Sequence, residues 1–262
     1  MSERVPSDTV NVVVLVKWVP NPGGTPVLGS DHLLVRAGAD GALDPGDEFG
    51  LEAALRLIED GGEVTVVSMG PDDAVAAVQR ALAMGAHKGV LVTDPSLRGA
   101  DTLGTARVLA AAIGRQAFDL VIAGVESTDG YTGTLPLTVA ELLGVDAVTA
   151  VRHVEQADGG LRVERQTEDG YDIVSCPTPA VIAVTAGANE PRYPSLKGIM
   201  AAKQKPLDRP DVEALGLSAE DLAPTQRVIG AEDAPSKAGG EIVDADEGVT
   251  RVADLLAEAK VI

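Results

Sequence analysis

One loop carries residue types that suit anion binding. Residues 126–136, "ESTDGYTGTLP", follow the apolar run "DLVIAG" and precede the helical pattern "LTVAELLG". Consecutive amides from Gly130 to Leu135 at a helix start, with the hydroxyls of Thr132 and Thr134, can hold an anion by dipoles alone. The loop itself contains two acids and no base. The alternative is a turn whose threonines only cap the helix, and spacing does not choose between the two, because many such turns bind nothing.

The side chains that usually carry catalysis are scattered along the chain. The histidines lie at 32, 87 and 153, and Cys176 has no histidine near it in sequence. Motifs such as HExxH, CxxC, GxSxG, GxGxxG and a Walker lysine do not occur. We therefore predict neither a catalytic centre nor a metal site.

Apolar runs alternate with helical patterns through about residue 145. The predicted strands are 11–19, 63–70, 88–94 and 119–124, and the predicted helices are 46–60, 72–85, 101–115 and the one after the loop. Continuous apolar strands joined by crossover helices are typical of a doubly wound, mostly parallel α/β sheet. Ligands bind such sheets at the carboxyl ends of the strands.

The pattern changes in the second half of the chain. Strand-like runs at 147–156, 161–167 and 179–187, with a polar turn at 157–160, predict an antiparallel extension. From about residue 206 the chain is rich in Pro, Asp, Ala and Gly, with one helical pattern at 249–260. We predict an α/β domain over 1–205 and an extended arm over 206–262 that becomes ordered on another protein.

Charge and composition exclude several classes of function. Lys and Arg total 21 against 40 Asp and Glu, so the net charge of -19 argues against wrapping nucleic acid or lying on an anionic membrane. There is one cysteine, the start has no signal-peptide pattern, and the longest apolar run is too short to span a bilayer. The expectation is a soluble, cytoplasmic protein.

The succession of motifs resembles the β subunit of electron transfer flavoprotein over nearly the whole chain. The resemblance is carried by "VKWVPNP", "DPGDEFGLEAAL", "RALAMGAHKGVLV", "DLVIAGVESTDGYTGTLP" and "NEPRYPSLKGIMAAKQKP". It implies an adenine-nucleotide-binding fold and a heterodimer with an α subunit that holds FAD, the arm packing on that subunit. It also implies a structural AMP in this subunit. Electrons would come from acyl-CoA dehydrogenases and related flavin dehydrogenases of fatty acid oxidation, and leave to a membrane quinone oxidoreductase.

The resemblance also assigns the nucleotide site. The loop aligns with the family's AMP phosphate loop, and adenine and ribose would lie across the ends of the first two parallel strands. The candidate AMP-binding residues are Leu15, Asp44, Pro45, Gly46, Asp47, Met69, Glu126, Ser127, Thr128, Asp129, Gly130, Tyr131, Thr132, Gly133, Thr134, Leu135, Pro136 and Leu137.

The loop departs from both patterns known in the family. Mammalian-type members have an Asn-Gln-Thr run where this chain has Gly133, Thr134 and Leu135. Electron-bifurcating members, which bind a second FAD here, have an acid where this chain has Tyr131 and a Gln where it has Thr134. The sequence favours AMP, with a second FAD as the alternative. A free-standing nucleotide-binding α/β protein is the other alternative, and it would be stable without an α subunit.

A short helix is predicted from Ser195 to Lys203, with Ser195 as its N-cap. Its apolar residues Leu196, Ile199 and Met200 are the candidates for docking a partner. The alternative is that they pack inward, and for Ile199 and Met200 that alternative is the expected one. Leu196 lies in the first turn, and the resemblance places it on the leucine that anchors the family's recognition loop in a pocket of the dehydrogenase.

Overall fold

The computed structural model describes residues 10–20, 23–36, 38–232, 239 and 242–262. Within these residues the strands are β1 Val10–Leu15, β2 Trp18–Pro20, β3 Gly41–Leu43, β4 Gly62–Met69, β5 Lys88–Val92, β6 Leu120–Gly124, β7 Asp146–Ala157, β8 Gly160–Thr167, β9 Gly170–Cys176, β10 Ala180–Val184 and β11 Leu207–Asp208. The α-helices are α1 Pro45–Leu57, α2 Val75–Met84, α3 Thr102–Gly114, α4 Leu135–Leu143, α5 Leu196–Ala202, α6 Ala219–Leu222 and α7 Ala245–Glu258.

In the described part of the chain, nine strands form one sheet in the order β11-β5-β4-β1-β6-β10-β7-β8-β9. All neighbours from β11 to β7 pair in parallel. Val12 and Val14 of β1 belong to one buried cluster with α1 and α2, and Val13 and Leu15 to a second with α3 and α4. Helices therefore cover both faces, as the apolar strands predict, and the doubly wound α/β fold is confirmed.

The first predicted strand is divided in the structure. β1 ends at Leu15, and β2 leaves the large sheet to pair with β3 in a separate antiparallel ribbon. The sequence pattern shows only Lys17 at this change, because Trp18 and Val19 beyond it are also apolar and buried. The break at Val16 and Lys17 brings these two residues to the carboxyl edge of the sheet, where a ligand site is expected.

The antiparallel extension consists of β7, β8 and β9. The predicted run 179–187 does not belong to it, because this run is β10, which pairs in parallel with β6 and β7. β8 pairs antiparallel with both of its neighbours, while β7 pairs in parallel with β10 on its other side. The acidic residues Glu168 and Asp169 form the turn between β8 and β9. The extension thus forms one end of the nine-stranded sheet.

The chain divides into two compact units, 1–229 and 230–262. The predicted division was at 205/206, but β11 pairs with β5 and α6 packs on α3, so residues 206–229 belong to the first unit. In the second unit, α7 extends four residues further toward the N-terminus than the predicted helix at 249–260. In the described ranges, no helix has the length and apolar character to cross a membrane.

Candidate functional site

A cavity of about 690 Å³ opens at the carboxyl ends of β1, β4 and β6. The chain runs from β1 outward to β4 and β5, and then returns to place β6 on the other side of β1. Ligands bind open α/β sheets at this reversal of strand order, because the loops on either side diverge there and leave a crevice. The volume lies within the range of about 300–1,000 Å³ typical of ligand pockets.

Asp44 fixes the predicted anion loop to the start of α1. Its carboxylate is fully buried and caps the helix by accepting from the Gly46 amide at 2.8 Å. The other carboxylate oxygen accepts from the amide of Thr128 at 2.7 Å and from its hydroxyl at 2.8 Å. One acid therefore holds both a helix start and the loop.

The bases that the loop lacks are provided by other segments. Lys17, just after β1, donates to Asp129 at 2.6 Å and to the Ser127 hydroxyl at 3.0 Å. Arg36 donates to the second oxygen of Asp129 at 2.5 Å. Asp129 is largely buried, which would raise its pKa, but Lys17 and Arg36 outweigh this effect and lower the pKa below its usual value. These cations are used to hold the loop.

The amides of the loop fall into two groups. Those of Gly130 and Tyr131 donate to the Ser127 carbonyl at 3.2 and 3.0 Å, closing a turn. Among the described residues, the amides of 132–135 have no hydrogen-bond acceptor. Thr134 occupies the N-cap position of α4, yet its side chain makes no capping hydrogen bond. The interpretation of this threonine as only a cap is therefore wrong, and the unpaired donors remain available for an anion.

Asp47 is a buried acid in the wall of the cavity. Its carboxylate accepts from the Lys17 amide at 2.7 Å. Burial, and then the nearby charge of Asp44, raise the pKa of Asp47 to about 8, although amides of Lys17 and Gly124 act in the opposite direction. At neutral pH this carboxyl group is therefore mostly protonated, and can donate one hydrogen bond as well as accept.

The structure brings half of the predicted nucleotide residues to the cavity wall and leaves the others outside it. The wall contains Leu15, Asp47, Met69, Glu126, Ser127, Gly130, Thr132, Leu135 and Pro136. Outside the wall lie Asp44, Pro45, Gly46, Thr128, Asp129, Tyr131, Gly133, Thr134 and Leu137. Asp44 and Asp129 in this second group position the loop.

The opposite wall was not predicted from the sequence. It is formed by residues 98–102 after β5, by Thr105 and Leu109 of α3, by Asp31 and Leu33, and by Pro224, Gln226, Arg227 and Val228. The strand-end position of 98–102 is a signal that could have found that segment. Residues 224–228 offer no such signal, because they lie more than 80 residues beyond the loop in sequence.

Asp101 attaches this distant segment to α3. One of its carboxylate oxygens caps α3 through the Gly104 amide at 2.8 Å. The other accepts from the Thr225 amide and hydroxyl, both at 2.7 Å, and from the Gln226 amide at 3.1 Å. The hydrogen bond from Gly104, and then those from Thr225 and Gln226, lower the pKa of Asp101 to about 2, despite the opposing effect of burial.

The predicted docking helix is present as α5, and Ser195 caps it through the Gly198 amide. Leu196, Ile199 and Met200 are 77%, 47% and 68% exposed. The expectation that Ile199 and Met200 pack inward is wrong. The inner face of α5 is instead made of small residues, because a Cβ at Gly198 would collide with the Ala83 carbonyl of α2.

The fold and the site together define a doubly wound α/β protein with a cavity at the reversal of strand order. The family model for the electron transfer flavoprotein domain matches residues 31–215. The β subunit of the electron transfer flavoprotein of Mycobacterium tuberculosis is 38% identical over 96% of this chain and 99% of its own length. The β subunit from Thermoanaerobacterium thermosaccharolyticum is 39% identical over 87% of this chain and 86% of its own.

A third relative is subunit CarD of the caffeyl-CoA reductase-Etf complex of Acetobacterium woodii, 35% identical over 89% of this chain and 92% of its own length. The chain therefore belongs to the electron transfer flavoprotein family, as its β-subunit relatives do. Such subunits carry electrons and have no catalytic centre of their own.

Proposed function

We propose that this chain is the β subunit of a heterodimeric electron transfer flavoprotein that holds a structural AMP and helps to enclose the FAD of its α subunit. It accepts electrons from acyl-CoA and related flavin dehydrogenases and passes them to a membrane quinone oxidoreductase. The observation that carries the AMP assignment is the row of unpaired amides, 132–135, beside the cavity at the strand ends. Uncharged donors at a helix start suit a buried phosphate.

The residues that would hold AMP fall into groups according to the part of the nucleotide that each group suits. The amides of 132–135 and the hydroxyls of Thr132 and Thr134 suit the phosphate. Leu15 and Met69 offer an apolar surface for a base, and Asp47 offers a carboxyl group that is protonated at neutral pH and can donate to the ribose or the base. Lys17 and Arg36 neutralise Asp129, so this acid of the loop does not repel the phosphate.

Electron transfer itself is the chemistry of the FAD, which accepts and releases electrons when it is bound. The part of this chain is to close over that cofactor with the α subunit and to present a docking surface to the donor. Tyr193, Leu196 and Met200, all more than 60% exposed, form an apolar surface around α5. A few exposed apolar anchors suit brief binding to several dehydrogenases.

The decisive experiment is acid extraction of the heterodimer, followed by identification and counting of the released nucleotides. We expect AMP and FAD in a ratio near one to one. If the heterodimer releases no AMP, the assignment fails.

A second candidate function is electron bifurcation, with a second FAD in place of AMP. One observation favours it: the cavity extends past the predicted nucleotide residues to a wall with two arginines, Arg98 and Arg227. Arg98 is paired with Asp31, whereas Arg227 has no ion-pair partner among the described residues. If the protein bifurcates electrons, the same extraction should release two FAD per heterodimer and no AMP.

A further inference from the structure

We infer that Glu52 of α1 is a positioning residue for electron-donor docking: through Arg192 it holds the segment 189–203 that presents the exposed residues Tyr193, Leu196 and Met200. The inference rests on the proposed function, since it assumes that this segment binds a flavin dehydrogenase. Glu52 would then fix the conformation of this segment, although Glu52 itself does not face the partner.

Glu52 is a buried acid with a complete set of partners. Its side chain is only 4% exposed. One oxygen accepts from Arg192 Nε at 2.7 Å and from the Arg192 amide at 3.2 Å. The other accepts from Arg192 Nη2 at 3.2 Å and from Arg56 Nε at 2.7 Å. Arg192 therefore binds the carboxylate through its guanidinium fork and its backbone, a geometry that restricts both position and orientation.

The charge state of the pair is stable at neutral pH. Burial would raise the pKa of Glu52, but hydrogen bonds from Arg192 and Arg56 outweigh it, and the pKa lies below its usual value. The hydrogen bond from Glu52 in turn raises the pKa of Arg192. Removing one partner of a buried ion pair is costly, so the contact between Glu52 and Arg192 favours attachment of the segment to α1.

Further bonds hold the same segment at both ends. Before α5, Asn189 Nδ2 donates to the Phe49 carbonyl at 2.9 Å and Arg56 Nη2 donates to the Glu190 carbonyl at 3.3 Å. After α5, Lys205 Nζ donates to the carbonyls of Leu82 and Ala86, at 2.8 and 2.6 Å, at the end of α2.

The exposed apolar side chains are thus carried by a backbone that is fixed on both sides. Among these contacts, the one from Glu52 to Arg192 uses the most hydrogen bonds and lies closest in sequence to Tyr193 and Leu196. A docking surface that is already ordered before the partner arrives loses less conformational entropy on binding. Release of the segment should therefore weaken docking without changing the electron transfer that follows it.

The test uses the heterodimer and a purified acyl-CoA dehydrogenase that has been reduced with its acyl-CoA substrate. In Glu52→Gln we expect the apparent KM for the heterodimer to rise by about tenfold, with kcat at saturation unchanged. Amide hydrogen exchange in 189–203 should become faster. Arg192→Gln, which leaves Glu52 bonded to Arg56, should give the same result, and the double variant should be no worse than either single one.

The matched control is Glu48→Gln. Glu48 lies one turn earlier on α1 and pairs with Arg80 of α2 at 3.2 Å, without a bond to the docking segment. If KM and exchange in Arg192→Gln and Glu52→Gln equal those of this control, the inference is wrong.

A separate variant, Leu196→Ala, distinguishes the inference from the function on which it rests. If Leu196→Ala raises KM while neither Glu52→Gln nor Arg192→Gln does, docking by α5 stands and the role of Glu52 fails. If Leu196→Ala leaves KM unchanged, the docking proposal itself fails, and with it the role of Glu52 in docking, even if exchange in the segment becomes faster.

Discussion

Individual acids explain how an acidic loop can be suited to an anion. Asp44 and Asp129 both have structural roles. Asp44 caps α1 and binds the Thr128 amide. Asp129 is neutralised by Lys17 and Arg36. Asp47 is mostly protonated at neutral pH because burial raises its pKa to about 8. The charges of these three acids are therefore compensated before a ligand binds, whereas Glu126, the other acid of the loop, remains in the wall of the cavity.

Thr134 allows a sharp test of the phosphate site, since it lies at the start of α4 without a capping bond. Asp and Asn are equally good N-caps, and the helix dipole favours the charged one. With a phosphate beside the helix start, Thr134→Asp should weaken AMP binding by about 1–4 kcal/mol relative to Thr134→Asn, through repulsion at a few ångströms. AMP content per heterodimer and thermal stability measure this effect. Equal AMP content, with the Asp variant as stable or more stable, would contradict the phosphate placement.

Asp47 predicts a pH dependence with a definite sign. Between about pH 4 and pH 8 the folded state keeps a proton on this carboxyl group that the unfolded state releases. The resulting stabilisation is complete below the unfolded pKa and is lost as the pH rises toward 8. From pH 5 to pH 8, the heterodimer should therefore lose at least about 1 kcal/mol more stability than its Asp47→Asn variant.

Denaturant unfolding at the two pH values measures this difference. The control is Asp60→Asn, which makes the same substitution at an exposed position just after α1. An equal loss of stability in the parent and in Asp47→Asn would show that Asp47 is already ionised at pH 5.

Among the secondary-structure elements, α3 has a second role besides packing on the sheet. Through its N-cap, Asp101, it fixes residues 224–228 as one wall of the cavity. The cavity of the proposed nucleotide site is thus completed by a segment near the end of the first unit. The carboxylate of Asp101 accepts three hydrogen bonds from Thr225 and Gln226 in this wall.

Asp101→Asn should release this wall, because an amide presents donors to the donors of Thr225 and Gln226. We expect a loss of about 2 kcal/mol in stability, faster loss of AMP on dialysis, and faster amide exchange in 224–228. The control is Asp94→Asn: Asp94 caps the single 3-10 turn Pro95–Leu97 through Ser96, and no bond joins it to 224–228. AMP retention equal to that of the control would mean that the wall does not retain the nucleotide.

The molecule as a whole consists of a large α/β unit and a small second unit whose helix, α7, is amphipathic and has no buried residue. Its apolar residues Val249, Val252, Leu255 and Leu256 are 74%, 56%, 57% and 37% exposed. They recur at helical spacing on one face, which is the pattern of a helix that packs on another surface. We propose that this surface belongs to the α subunit, in agreement with the predicted arm.

Leu255→Glu should therefore weaken the heterodimer, because it places a charge on the apolar face. We expect a loss of about 2–4 kcal/mol of association free energy, measured by the protein concentration at which the two subunits separate in sedimentation. Ala257→Glu adds the same charge away from this face, at 100° per residue, and should leave association unchanged. An equal effect of both substitutions would show that charge alone, and not the apolar face, is responsible.

The sequence by itself determined the doubly wound fold and the position of the strand-end loop, because apolar periodicity and turn chemistry are local. Local patterns also located α5 and α7 to within a few residues. What these patterns missed was the break between β1 and β2, where Trp18 and Val19 stay buried in a different sheet.

Only the tertiary structure decided which groups complete the site. Lys17 and Arg36 meet Asp129 across more than 90 residues, and Asp101 meets Thr225 across 124. The exposure of Ile199 and Met200 was likewise decided by the close approach of Gly198 to α2. Pairings of this kind depend on which chain segments the sheet order brings together, and no pattern within one segment contains that information.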